Sequence, residues 1–267
     1  MNKFFKDLVL IIVAFCLIWF LLSKINWVNI LRIKRITQKT ENKLGDLYWK
    51  YLKEAENEVS DIYVIKSIDS VLIRICNKNQ INSKDIKIHL LERDEVNAFA
   101  LPDNHLVIYS GLIYECENEA ELCGVICHEL AHIQQKHIMK KLVKELGLSA
   151  LISIASGNAG SEIIKKTVKI LSSSAYDREM EREADLASVD YMINADIDPE
   201  AFANFLFRLS TEEPDIQRNL YWLSTHPDTE ARSKYINEYS RNKSYKKIPV
   251  IAISTWNNIK KKLKLND

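Results

Sequence analysis

The residues that could do chemistry stand together in His128-Glu129-Leu130-Ala131-His132. Two histidines four apart on a helix lie one turn apart on the same face, about 40° off in azimuth. Both imidazoles can therefore reach one metal ion, and Glu129 projects beside it towards a water on that ion, where a general base is needed. The stretch sits within residues 118–146, which read as one long helix. Leu122, Val125, Ile126, Leu130, Ile133 and Ile138 form an apolar stripe along it, so this helix packs in a core.

Two imidazoles do not complete a catalytic zinc site; a third ligand and an open position are required. His137 follows five residues on and points off the ligand face, and no His stands at the short downstream spacing of a metzincin. A carboxylate from another helix is the remaining source. Within Arg178-Glu179-Met180-Glu181-Arg182-Glu183-Ala184-Asp185, Glu181 can bind metal while Asp185, four residues on, accepts a hydrogen bond from a ligand His. Glu179 with Glu183, on the opposite face, is the competing register. Spacing does not choose between them.

The elements that must hold these groups are mainly helical. Six Gly and five Pro among 267 residues, with abundant Lys, Glu, Leu and Ile, favour helix, and a net charge of +1 gives no electrostatic case for nucleic acid. Residues 37–59 read as a helix with Leu44, Leu47, Tyr48, Tyr51, Leu52 and Ala55 on one face. Ser60-Asp61 caps a second, with Val64, Ile68, Leu72 and Ile75 inward. The period then changes to two. Ile86, Ile88 and Leu90 mark one strand, residues 96–101 a second and 106–109 a third, with Pro102-Asp103-Asn104 as a turn, which predicts a small antiparallel sheet. His89 and His105 are expected as solvated strand or turn residues. After the metal helix, residues 148–155 are apolar but too short to span a bilayer, and Gly157 to Gly160 break the pattern. Residues 173–194 are helical again, Asp198-Pro199 opens another helix, and Ser224 to Asp228 opens the last clear one. The five cysteines (Cys16, Cys76, Cys116, Cys123, Cys127) form no CxxC pair and are expected as free thiols.

Residues 8–22 are fifteen without a charge. That is short of the roughly 20 a spanning helix needs, but Lys6 and Lys24 can extend it by snorkelling, and Trp19 and Trp27 suit an interfacial belt. Leu21-Leu22-Ser23-Lys24 is a poor cleavage site, so an uncleaved single anchor is preferred over a removed leader. The chain thus divides into an anchor (1–24), a helical N-terminal region (25–83), the catalytic core (84–240) and a basic, partly frayed C-terminal tail (241–267).

Five stretches in order make a more specific pattern. They are Asn97-Ala98-Phe99-Ala100-Leu101-Pro102, Tyr109-Ser110-Gly111-Leu112, the zinc helix, Glu181-x-x-x-Asp185, and Thr225-His226-Pro227 with Arg232. Together they resemble the gluzincin zinc metallopeptidases related to HtpX, BepA and the CAAX prenyl protease (metallopeptidase family forty-eight), in their single-anchor form. The resemblance covers about residues 85–239. It implies one Zn2+ per chain held by His128, His132 and Glu181, with Asp185 and Arg232 as supporting groups. It also implies that His226 lies near the metal, as a fourth ligand in a resting state or as a donor to the tetrahedral intermediate. Relatives often carry glycines in the turn where this chain has Asp103-Asn104-His105.

The expected fold is therefore α+β, mainly α with a small sheet and an N-terminal transmembrane helix. The expected activity is that of a membrane-anchored zinc metalloendopeptidase acting in protein quality control. Asn97, Ala98, Phe99 and Ala100 would hold an extended or unfolded polypeptide as an added strand. The count of Lys and Arg favours a cytoplasmic catalytic domain, whereas the resemblance favours a periplasmic or otherwise exported one. The alternative is a zinc-stabilised, membrane-tethered holdase or assembly factor without turnover.

Overall fold

The computed structural model describes residues 38–211 and 221–263, together with Asp7, Ile12, Val13 and Phe15. Among these, no helix is long and apolar enough to cross a membrane. The expected anchor at 8–22 lies, apart from Ile12, Val13 and Phe15, outside the described residues. Contacts separate Met1–Thr40 from Glu41–Asp267, and the second unit carries the site.

Helix α1 (Gln38–Ala55) buries Leu44, Tyr48 and Leu52, spaced four apart on one face. Helix α2 (Ile62–Lys78) starts where Asp61 accepts hydrogen bonds from Tyr63 N and Val64 N at 2.9 and 3.2 Å, the N-cap that its sequence predicts. Three strands follow: β1 (Lys87–Leu91), β2 (Ala98–Leu101) and β3 (His105–Tyr109).

Their order is β1-β3-β2, and only β2 and β3 are antiparallel; β1 runs parallel to β3, with Ile88 beside Leu106. The sheet is mixed, not antiparallel as expected. The cause lies in residues 92–97, which do not form a hairpin. Gly111 N donates to Arg93 O at 2.7 Å, and Ser110 Oγ accepts from Arg93 N and donates to Arg93 O, both at 2.9 Å. Tied to the far end of β3, the chain leaves β1 on one side of that strand and returns on the other. The β2–β3 hairpin closes through Asp103 and Asn104 at φ +62° and +59°. Asp and Asn tolerate this left-handed region, so the hairpin forms without glycine.

Beyond β3 come α3 (Ser110–Glu115) and α4 (Glu119–Gln134), capped by Asn118 accepting from Glu121 N at 3.1 Å. The single helix expected over 118–146 is in fact two. Lys136 adopts φ +57°, ending α4 and starting α5 (His137–Leu146) in a new direction. Lys136 Nζ meets Glu41 of α1 at 3.0 Å, which fixes the break. Helices α6 (Leu148–Ala155) and α7 (Ser161–Ser173) flank the expected glycine-marked break. Then come α8 (Arg178–Asn194), α9 (Pro199–Thr211), α10 (Tyr221–Thr225), α11 (Thr229–Ser240) and α12 (Ile253–Leu263). The tail is more ordered than expected, because Trp256, Ile259 and Leu263 of α12 are buried against α2 and α3.

Helix α4 is the centre of the core, with β2, α8 and α9 packed on it and every residue from Glu121 to Ile133 buried. Gly124 permits the approach of α9: a Cβ there would stand 2.4 Å from Phe202 Cβ.

His89 and His105, expected in solvent, are packed under α1. His105 is 2% exposed, its Nδ1 lies 2.9 Å from His89 Nε2, and Trp49 stacks on His89 with ring centroids 3.5 Å apart. Burial, reinforced by the charges of His105, Lys87 and Lys53, pushes His89 down to about 3. Burial likewise pushes His105 down to about 4, with Lys87 adding to it and Asp103 and Asp46 opposing. Both rings are neutral when folded, while the unfolded chain takes up protons below about pH 6.5. The unfolded state therefore binds more protons from about pH 6.5 down to the folded values. Stability falls as pH drops through that window, by at most about 1.4 kcal/mol per pH unit for each ring. Urea unfolding between about pH 7 and pH 5 is expected to give a shallower pH slope for a His89→Gln/His105→Gln variant than for wild type. Equal slopes would mean that neither ring is held neutral.

Candidate metal centre

Three stretches of chain bring their donors to one buried point. The His128 and His132 Nε2 atoms, from successive turns of α4, lie 3.0 Å apart. Glu181, in the first turn of α8, sets Oε1 3.4 Å from His132 Nε2 and Oε2 3.7 Å from His128 Nε2. His226, just after α10, directs Nδ1 into the same space, 3.1 Å from His128 Nε2 and 2.9 Å from Glu181 Oε1. A tetrahedral zinc ion with bonds of about 2.0–2.1 Å needs ligand atoms about 3.3–3.4 Å apart. The observed spacings bracket that value, and the donor types are those zinc takes, so the residues present fit the ion that the resemblance implies. This is a possible metal site of four ligand atoms.

The groups expected around it lie as follows. Glu129 is fully buried, and neither of its oxygens has a well-formed hydrogen bond within the described protein; His226 Nε2 is 3.3 Å from Oε1. Asp185 Oδ1 lies 2.9 Å from His128 Nδ1, off the ideal N–H direction. Arg232, from α11, donates to Asp185 through Nε at 2.8 Å and Nη2 at 2.7 Å, and its Nη1 lies 2.9 Å from Glu181 Oε2. Arg232 Nη1 also donates to the His226 carbonyl at 3.0 Å, holding the loop that carries that imidazole. Glu179 is exposed, so the competing acidic register does not reach the cluster.

The electrostatics follow from burial set against charge. Burial pushes the Glu129 carboxyl up, but the His226 contact and the charges of His226, His132 and His128 outweigh it and the net shift is downward. Glu181 is likewise raised by burial and carried well below the usual carboxylate range by His226 and Arg232. For Asp185, burial is overcome by Arg232 and His128, leaving it at about 2. These three carboxyls therefore stay ionised in a site closed to solvent.

Several neighbours escaped the sequence reading. Tyr176 stacks on His132 with centroids 4.1 Å apart, and Trp222 on His226 at 4.5 Å; the Tyr176 hydroxyl and Trp222 indole N–H have no hydrogen-bond partner among the described residues. Trp222 stands four residues before His226, a helical spacing that could have flagged it. Lys141 is buried over the Tyr176 ring at 4.1 Å and bonds the Ser174 carbonyl. Burial lowers it to about 8. His137, off the ligand face as its spacing implies and outside the four ligand atoms, nevertheless lies behind His132: its Nδ1 is 2.9 Å from His132 Nδ1.

Of the expected substrate residues, Ala98, Phe99 and Ala100 lie in β2, an edge strand beside α4, and Asn97 immediately precedes it. Asn97 Nδ2 donates to Ser172 O at 3.1 Å, and Asn97 O accepts from Tyr109 N of β3 at 3.1 Å. Successive carbonyls of an extended chain point to opposite sides, so Val96 O faces away from β3. There it accepts Trp222 N at 3.0 Å. In a second group of potential ligands, Asp46, Asp103 and His105, two members already meet a cation: Lys87 Nζ is ion-paired with Asp103 and lies 3.3 Å from His105 Nε2.

Comparison with known proteins agrees with this geometry. A family model described as Peptidase family M48 matches residues 65–240. The beta-barrel assembly-enhancing protease of Escherichia coli (strain K12) is 27% identical over 205 residues, which are 72% of this chain and 42% of the relative. A putative beta-barrel assembly-enhancing protease of Vibrio cholerae is 28% identical over 210 residues, 74% of this chain and 43% of the relative. The mitochondrial metalloendopeptidase OMA1 of Schizosaccharomyces pombe is 25% identical over 174 residues, 64% of this chain and 52% of the relative. The chain spans less than half the length of the two bacterial relatives. With the match covering more than half of its own residues, and the zinc helix and its acidic partner helix both inside it, the chain belongs to peptidase family M48.

Proposed function

We propose that this chain is a zinc metalloendopeptidase that hydrolyses internal peptide bonds of extended or unfolded polypeptides. The observation that carries this reading is the convergence of His128, His132 and Glu181 on one point, with the ionised, unbonded carboxylate of Glu129 beside it. One zinc ion per chain, held by these three side chains, would supply a Lewis acid that acidifies water and polarises the scissile carbonyl. Glu129 takes the water proton and delivers it to the leaving amine. Asp185 orients His128, and Arg232 keeps Asp185 and Glu181 ionised and in place.

Substrate would lie along the outer edge of β2. In the antiparallel pairing of β2 with β3, Asn97 bonds towards β3, which leaves the peptide groups of Ala98 and Ala100 for the outer edge. Backbone pairing there is indifferent to side chain but demands an extended chain, so unfolded segments are selected over folded ones. The names of the relatives, beta-barrel assembly-enhancing protease and mitochondrial metalloendopeptidase, are compatible with a role in protein quality control. We read residues 8–22 as an uncleaved single anchor and the catalytic domain as exported. Digestion of the domain is expected when protease is added to cells whose outer envelope has been opened while the inner membrane stays sealed; full protection there would place it in the cytoplasm.

A latent resting state is favoured by one observation, the presence of His226 Nδ1 among the ligand atoms while its Nε2 faces Glu129. In that state His226 fills the fourth position and engages the base at once. Trp222, in the short helix just before His226, meanwhile bonds Val96, two residues ahead of β2. Substrate entry then requires this helix to move.

Two variants test these assignments. Glu129→Gln is expected to keep stoichiometric zinc while lowering casein cleavage by about 10²–10⁴-fold. Retained cleavage would remove Glu129 as the base, and suppression of client aggregation by a wild type that cleaves nothing would favour the holdase. His226→Ala is expected to raise basal cleavage if the ring is an inhibitory ligand; a fall of about 10²-fold or more would make it a donor to the transition state instead.

A further inference from the structure

The two histidines of the zinc helix are backed differently. His128 has the carboxylate of Asp185 behind it, whereas His132 has another imidazole. His132 Nδ1 lies 2.9 Å from His137 Nδ1, and His137 Nε2 lies 3.1 Å from Glu183 Oε2. His137 is fully buried, and the Glu183 side chain is 48% exposed, so the line runs from the ligand cluster out to the surface.

The backbone explains how a residue five positions on comes to lie behind His132. In an uninterrupted helix His137 would stand about 140° around the axis from His132. The left-handed turn at Lys136 ends α4 and makes His137 the first residue of α5, directing its ring back over His132. On the other side, Glu183 is reached because α8 lies along α4, with Gln135 Nε2 donating to the Glu183 carbonyl at 3.3 Å.

Proton counting fixes the direction of every bond in this line. His132 Nε2 faces the ligand cluster, so a metal on that atom requires its lone pair and places the ring proton on Nδ1. His132 Nδ1–H then donates to His137 Nδ1, which must be unprotonated. His137 carries its proton on Nε2 and donates it to the Glu183 carboxylate. Each nitrogen has one role, and the carboxylate ends the chain as an acceptor.

We infer that His137 and Glu183 are positioning residues that hold His132 in its metal-binding tautomer and strengthen its Nε2 as a donor. The inference rests on the metal reading of the site. A partner on the outer nitrogen of a ligand imidazole fixes the ring and raises its basicity, and loss of such a partner costs about 10–100-fold in metal affinity. The carboxylate acts at one remove, through the polarisation of His137, and its effect is the smaller.

Zinc affinity measured by chelator competition on the full chain tests this without reference to turnover. Stoichiometric zinc in wild type comes first; its absence would overturn the metal reading itself. Given zinc in wild type, His137→Ala is expected to weaken binding by about 10–100-fold. His137→Asn, whose Oδ1 can stand where the ring Nδ1 stood, is expected to recover much of the loss. Glu183→Ala should weaken binding less than His137→Ala does, and should add nothing in the His137→Ala background, since its influence passes only through that ring. Glu183 is half exposed, so its variant reports even where His137→Ala fails to fold. Wild-type affinity in Glu183→Ala and in a folded His137 variant, or additive losses in the double variant, would overturn the proposal.

Discussion

The site depends on Arg232. Three carboxylates, Glu129, Glu181 and Asp185, are buried within one cluster, and an ionised carboxylate removed from water is stable only beside opposite charge and hydrogen-bond donors. Arg232 is the guanidinium bonded into that cluster, and it reaches Asp185, Glu181 and the His226 carbonyl with one planar group. A lysine could not serve as well, because only the fork of a guanidinium meets a carboxylate with two parallel bonds while a third N–H turns elsewhere. Even so, three negative groups face one permanent positive one. A divalent ion among the ligand atoms would balance that excess, which is a physical reason, independent of any family, for reading the cluster as a metal centre.

The helices are arranged to satisfy this cluster. α4 supplies two imidazoles, α8 the acid that meets them and the acid behind them, and α11 the guanidinium that holds both acids. Gly124 brings α9 onto α4 at the same level, with the Phe202 ring 5.8 Å from His128, so the cluster has apolar walls. Those walls exclude water and strengthen every charge interaction inside. The aromatic rings of Tyr176 and Trp222, stacked on His132 and His226, restrict the imidazoles further, and their own polar atoms are buried without a hydrogen-bond partner among the described residues.

In the proposed reading, substrate access and metal coordination would converge on the short helix at Tyr221–Thr225. It contributes a backbone N–H to the outer side of Val96 and, one residue beyond its end, the fourth potential ligand atom. One displacement would uncover both the strand edge and the coordination position. This link between segments distant in sequence is carried by ordinary contacts: one backbone hydrogen bond, one ring stack and one imidazole.

The chemistry was legible in the sequence because it is local. Spacing alone puts His128 and His132 on one face, since helical geometry is the same wherever the helix lies. The cap at Asp61, the start at Pro199 and the turn at Pro102-Asp103-Asn104 were readable for the same reason. The choice between Glu181 and Glu179 was not local, because both faces of α8 carry acids and only the direction of its approach to α4 decides which face is inward. The parallel pairing of β1 came from a tether between Arg93 and Ser110, seventeen residues apart. The burial of His89 and His105 came from the docking of α1. His137 stands off the ligand face as its spacing implied, but its place behind His132 was not readable, because a single left-handed residue, Lys136, interrupts the helix. Sequence fixes which groups a short segment offers and how they are spaced along it; which of them face one another depends on packing between segments, and only the folded chain decides that.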